Sequence, residues 1–344
     1  MDEENDNCNE QLNHDDDQMD SSEVSKPELN ESNEDNVGDT VFSKHWMFQC
    51  LIKTLETINQ ESDSSDSPIE LDSDIEEELC LLWDMSANED VGKFLNDFKA
   101  IDLFEGIIMK TNSPRLAEIS VGILANISSI SPICMTMTNK EGFVKLILSL
   151  LKSSDTPFVL QLIRLILTAL SNIEARPNWL SEISMNSTEF FTSIQFTLQN
   201  CLNCDVLKGL LNLIYKVFYC DESLISKWFE IDQDKECVLS IYEASKQIIQ
   251  TDEDDIDCID YFWLIMHLQS IAYENFILTY IKPIENSVFS LFKHYMINSF
   301  GETMDYIIQS QHRAGALAAS LSIINELIDK SSFIKSQVAN SSSL

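Results

Sequence analysis

SPRLAEISVGILANI, residues 113–127, and TPFVLQLIRLILTALSNI, residues 156–173, decide the fold. Each opens on a hydroxyl residue followed by proline, runs about four helical turns of mostly apolar side chains, and closes on Leu-x-Asn-Ile. Ser113 and Thr156 read as N-caps, with Pro114 and Pro157 at the first helical position, where the missing N–H is harmless. The closing motifs Leu124-Ala125-Asn126-Ile127 and Leu170-Ser171-Asn172-Ile173 lie about 46 residues apart, within the period of HEAT or armadillo units. A looser copy, Leu210-Leu211-Asn212-Leu213, follows after about 40 more. One such unit cannot bury its apolar face alone, so neighbours must stack, and stacked helical units form a concave surface. The expected fold is all-α, an armadillo/HEAT-like α-solenoid over residues 73–335 with a disordered acidic N-terminal tail.

Composition agrees: 44% hydrophobic residues suffice for a core, while 8 glycines and 7 prolines in 344 residues leave little turn chemistry for a sheet protein. The formal charge of −35 is segmental, with about −14 in residues 1–40, −12 in 61–90 and −9 in 230–260. Such segments repel phosphate and anionic lipid, which makes a nucleic-acid partner an unfavoured expectation. Nine cysteines, an odd count, and an N-terminus without a basic start or apolar run fit a reduced intracellular protein. No apolar stretch reaches about 18 residues, so no membrane span is expected.

Residues 1–39 offer almost nothing to bury and read as a disordered acidic tail. Over 40–58 an amphipathic helix follows, with Val41, Phe42, His45, Phe48, Ile52 and Leu55 at helical spacing, in need of a partner surface. The acidic, Ser-rich stretch 59–72 is expected to tether it flexibly, outside the stack. Within and after that stretch, Ser67 and Ser73 stand beside acid and suit phosphorylation, while Ser73 and Glu76 also form a capping box opening the next helix. The end, 336–344, reads as disordered.

No catalytic, metal or cofactor site is expected. Cys201 and Cys204 have C-x-x-C spacing, which on a helix puts both thiols on one face, but no second pair completes four zinc ligands. The acidic run Asp252 to Asp260 lacks the glycine and terminal glutamate of an EF-hand. Phosphate-loop, zinc-protease and serine-hydrolase signatures are missing. The functional candidates are Asn126, Asn172 and Asn212. An amide recurring once per unit can hydrogen-bond the backbone of an extended peptide, or it can satisfy carbonyls of the neighbouring unit. Lys44, His45, Trp46, Trp83 and Asp84 are further candidates: the tryptophans suit core anchors, and a half-buried Asp84 would need a partner.

Thr40-Val-Phe-Ser-Lys-His-Trp-Met-Phe48, Leu82-Trp-Asp-Met-Ser86 with Glu89-Asp-Val91 and Phe94-Leu95, and Pro114-Arg-Leu-x-Glu-Ile119 with Val121-Gly-Ile-Leu-x-Asn126 resemble the serum amyloid A-like 1 family. The likeness is specific over about residues 40–130 and thins beyond about 180, and the C-terminal portion is shorter than vertebrate members lead one to expect. The resemblance implies an armadillo-like helical protein in the nucleus, associated with cell proliferation, in vertebrates that of synovial fibroblasts under inflammatory stimulation. It implies no catalytic residues. The expected function is a non-enzymatic scaffold binding proteins, basic or extended segments among them. The alternative is a helical-repeat regulator contacting RNA, for which Arg115, Arg164 and Arg176 would have to converge on one surface.

Overall fold

The structure, a computed structural model, describes residues 35–61, 68–232, 234–251, 257–273, 275–301 and 311–341. Over these residues the chain is all-α, and the β pairing among them is one isolated bridge between Asn36 and Ser43. Helices α1 (Lys44–Glu61) and α2 (Ser73–Met85) lead into recurring triplets. The first is α3 (Glu89–Asp97), α4 (Ala100–Lys110) and α5 (Pro114–Ile127), and the second α6 (Ser131–Asn139), α7 (Phe143–Ser149) and α8 (Thr156–Ser171). A third follows as α9 (Arg176–Met185), α10 (Ser187–Asn200) and α11 (Cys204–Cys220), then a fourth as α12 (Ser223–Ile231), α13 (Cys237–Thr251) and α14 (Asp257–Ala272). A π-helical turn (Ile277–Ile281), a 3-10 turn (Lys282–Ile284), α15 (Glu285–Gly301) and α16 (Gln311–Ser341) complete the described chain.

The third helix of each triplet is its longest, and these helices pack serially: α2 on α5, α5 on α8, α8 on α11, α11 on α14 and α14 on α16. They can do so because they are apolar on most sides. In α5, residues Ile119 to Ala125 are buried without interruption, and in α8 Leu162, Ile163, Leu165 and Ile166 are buried on either side of the exposed Arg164. Middle helices line up behind them, α7 on α10 and α10 on α13. Short first helices turn the chain; the Asn88 side chain caps α3, while the N-cap residues of α6, α9 and α12 make no side-chain cap bond.

Ser113 caps α5 as expected, its hydroxyl accepting the Leu116 N–H with Pro114 next in line. Two other caps sit one residue earlier than the pattern indicated. Asp155, not Thr156, accepts the Phe158 N–H of α8, and Asp72, not Ser73, accepts from Asp74 and Ile75 of α2. A carboxylate supplies the same acceptor as a hydroxyl plus a negative charge facing the helix N-terminus, so it wins the position.

The segment boundaries also move. Residues 35–39, assigned to the tail, belong to the folded body: Val37 is buried, and Asp35 accepts the Ser43 hydroxyl and the His45 N–H at the start of α1. Residues 1–34 and Ser67 lie outside the described residues. Helix α1 is not a free tether. It docks on α2 and α4, and Ile69, within the acidic stretch 59–72, donates to the Asn112 carbonyl before α5. Helix α16 continues to Ser341, beyond the boundary expected at 335.

Candidate partner-binding face

Along the long helices, α2, α5 and α8 form one junction. Gly122, in the middle of α5, leaves room for the Trp83 ring of α2; a Cβ there would collide with the indole. The Arg164 guanidinium of α8 sits 5.8 Å from the same ring centroid and donates through Nη2 to the Gly122 carbonyl at 2.9 Å. Cation–π attraction and a charge-assisted hydrogen bond thus fasten three helices at one point. Arg164 lies at the surface, yet desolvation of its guanidinium on the indole and main chain lowers its pKa. One turn on, Asn126 Nδ2 donates to the Trp83 carbonyl at 2.8 Å and to Ser86 Oγ at 3.0 Å, closing the end of α2. Arg115 bonds Glu76 at 2.7 Å and Glu118 at 2.7 Å. Burial works against its charge, but the bonds to Glu118 and Glu76 outweigh it and raise its pKa.

The three asparagines are therefore not one ladder. Asn126 is structural, bonding a neighbouring unit's main chain. Asn172 lies at the end of α8, where its Oδ1 accepts from Glu174 and Ala175 and its Nδ2 donates to Ser131 Oγ. Its counterparts are Asn88 before α3 and Asp221 before α12, which accept from Asp90 and Val91 and from Ser223 in the same Asx-turn manner. Asn212 falls in the middle of α11, half-buried, with no hydrogen bond among the described residues. Tyr215 and Tyr219 follow at i+3 and i+7, on the same flank of the helix. Tyr215 packs against Tyr261 of α14 at 5.8 Å between ring centroids and against His312 of α16 at 5.9 Å, while Tyr219 is 67% exposed. Desolvation raises the Tyr215 pKa, with Tyr219 and Cys220 adding to it.

The remaining candidates scatter. Asp84 is exposed in the last turn of α2, so its carboxylate is hydrated and the need for a partner falls away. Lys44, His45 and Trp46 open α1, far along the row from Asn212; His45 bonds Gln49 and Trp46 is half-buried against the core. Ser73 is exposed at the first position of α2. Cys201 follows α10 and Cys204 begins α11, so a helix break separates them. Cys201 adjoins a hollow of about 330 Å³ at whose rim Phe196 and Leu202 are exposed. Among the described residues no group of three His, Cys, Asp or Glu side chains is placed to hold a metal, and no helix is long and apolar enough to cross a membrane. Residues 252–256 of the acidic run lie outside the described residues, whereas Asp260 is buried in α14. Tyr295 donates to it at 2.7 Å, and the Arg313 guanidinium lies 3.6 Å away. Sequence reasoning missed this trio, because the signal for Asp260 was masked by its acidic neighbours. Gly122 did leave a signal, an isolated glycine within an apolar helical run.

An all-helical protein of serially packed three-helix units is what fold and face define. The model of the SAAL1 C-terminal domain matches residues 190–344, although the motifs legible by eye thin beyond about 180. The human Protein SAAL1 is 30% identical over 313 residues, 85% of this chain and 65% of that protein. Protein saal1 of Danio rerio is 36% identical over 62% of this chain and 48% of its own length, and Protein SAAL1 of Mus musculus 33% identical over 68% and 53%. The chain belongs to the SAAL1 family, and it spans less than two thirds of the length of these curated relatives.

Proposed function

We propose that this chain is a non-enzymatic scaffold, an armadillo-type α-solenoid that holds other proteins along the flank of α5, α8, α11 and α14. Recurrent short, middle and long helices with serial packing of the long ones support the architecture. The observation that carries the binding reading is Asn212: a half-buried amide without a hydrogen bond, set beside Tyr215 and the exposed Tyr219. Such a group offers a donor and an acceptor to an extended backbone while the rings cover it. Acidic segments at both ends of the charge map favour basic partners through attraction that weakens with salt. In this reading the acidic sequence of residues 1–34 acts as a modulator. Phosphate on Ser67 or Ser73 would deepen the same charge, at Ser73 next to the N-terminus of α2.

The RNA-contacting alternative has less to stand on. Arg115 is engaged by two carboxylates, Arg164 by Gly122 and Trp83, and Arg176 by the Leu170 carbonyl. The nuclear, proliferation-associated setting implied by the family resemblance is part of the proposal and is checked by imaging the tagged chain in cells.

The test is quantitative affinity capture with the intact chain against Asn212→Ala/Tyr219→Ala, both shown to melt alike. Partners lost in the double variant and retained by Asn172→Ala support the flank as the binding face. An unchanged partner set overturns it.

A further inference from the structure

Helix α1 carries two apolar stripes, and the one evident from sequence is not the one that docks. Met47, Cys50, Leu51, Thr54 and Ile58 are buried against α2 and α4. Phe48, Ile52 and Leu55 face outward, 43%, 40% and 46% exposed. Their spacing of four and three residues sets them in one line, the spacing of a helix–helix seam, and His45 and Asn59 continue it at either end. Phe98, just past α3 and itself exposed, widens the seam, its ring centroid 5.7 Å from that of Phe48. The outer face of a terminal helical unit is ordinarily polar, so a contiguous apolar line there marks an interaction surface.

Charge selects what covers it. Asp35 and Asp39 stand just before α1, at the end of a segment of residues 1–40 that carries about −14. Glu61, Asp63, Asp66, Glu70, Asp72 and Asp74 follow it. A second copy of this chain would bring acid onto acid in either orientation: tail against linker if antiparallel, like against like if parallel. Residues 1–34 are themselves acidic and meet the same repulsion. A helix with Lys or Arg beside its apolar face gains from both terms.

We propose that the seam Phe48–Ile52–Leu55, with Phe98, docks an amphipathic helix of another protein whose apolar stripe is flanked by basic residues. Helix-in-groove recognition of this kind uses apolar anchors at i, i+3 or i+4, and i+7. It is a second surface, separated along the row from Asn212 by the intervening helices α2, α5 and α8.

The test uses the full chain and a labelled helical peptide of about 18 residues with leucines at that spacing and lysines beside them, read by fluorescence anisotropy. Binding that weakens with salt and falls at least about tenfold in Ile52→Gln/Leu55→Gln is expected, since seam anchors dominate such contacts. That variant keeps charge and helix propensity and should melt like the parent; Asn212→Ala/Tyr219→Ala should bind the peptide normally, separating this surface from the flank. A peptide with glutamates in place of lysines should bind poorly. Equal binding of a peptide with serines in place of leucines, equal binding by the glutamine variant, or no binding at all would overturn the proposal. So would sedimentation showing a dimer that the glutamine variant dissolves, because the occupant would then be a second copy.

Discussion

The junction of α2, α5 and α8 and the junction of α11, α14 and α16 are built alike from long helices and held by different chemistry. In the first, polar side chains bond main chain: Asn126 the carbonyl of half-buried Trp83, Arg164 the carbonyl of buried Gly122. In the second, the His312 ring meets Tyr215 and Tyr261 edge to face, and a buried carboxylate, Asp260, lies beside Arg313 and Tyr295. Side-chain-to-backbone bonds fix how far one helix slides along the next without burying charge. A buried ion pair holds only while both partners are present.

The largest effect expected from breaking either junction is at Asp260. Asp260→Ala removes the buried carboxylate that Tyr295 and Arg313 face and should cost about 3–5 kcal/mol in urea unfolding, with α14–α16 lost first in hydrogen exchange. Arg115→Ala, in the other junction, should cost well under half as much, because Arg115 and Glu76 are both more than a third exposed. Next comes Gly122→Ala: the methyl displaces the Trp83 ring, and overpacking of this kind costs about 1–3 kcal/mol, visible also as a shift in tryptophan fluorescence.

Asn126→Ala should cost about 1–3 kcal/mol by removing two hydrogen bonds, to the Trp83 carbonyl and to Ser86 Oγ, which still bond each other, whereas Asn212→Ala should stay within about 0.5 kcal/mol, since its side chain bonds nothing among the described residues. Equal losses at the two asparagines would erase the distinction between a structural and an available amide. The smallest effect concerns pH and the docked stripe of α1. Burial, with Glu78 adding to it, pushes the Cys50 thiol up to about 12 from an ordinary 9.0. A raised pKa means its contribution to stability is fully present below pH 9 and is lost as pH rises toward 12. Cys50 should therefore resist alkylation at pH 8 in the folded chain and react once it unfolds, while Cys204, half-buried at the start of α11, reacts without unfolding.

Local chemistry was legible in the sequence and long-range chemistry was not. The Ser113-Pro114 start and the unbroken apolar run of α5 announced a helix buried on several sides, because capping and periodicity act within a few residues. The same locality misled at Asn172 and Asn212. Both stand two residues after a leucine, but one ends a helix and one sits inside it, and only the turn after residue 171 decides between cap and surface. Helix α1 shows a related ambiguity: two stripes at helical spacing cannot both face the body, and Phe48, Ile52 and Leu55 were the more conspicuous. Asp260 and Arg313 stand in different helices separated by the π-turn and α15, and nothing local couples them.

Gly122 beneath Trp83 also constrains the order in which this sequence can change. A larger residue at 122 is admissible only after position 83 has shrunk, and a smaller residue at 83 first strips Arg164 of the ring it covers. The two positions form a one-way gate in sequence space: descendants should pass it by altering residue 83 and residue 164 together before residue 122, and a library randomised at all three should return them as a linked set.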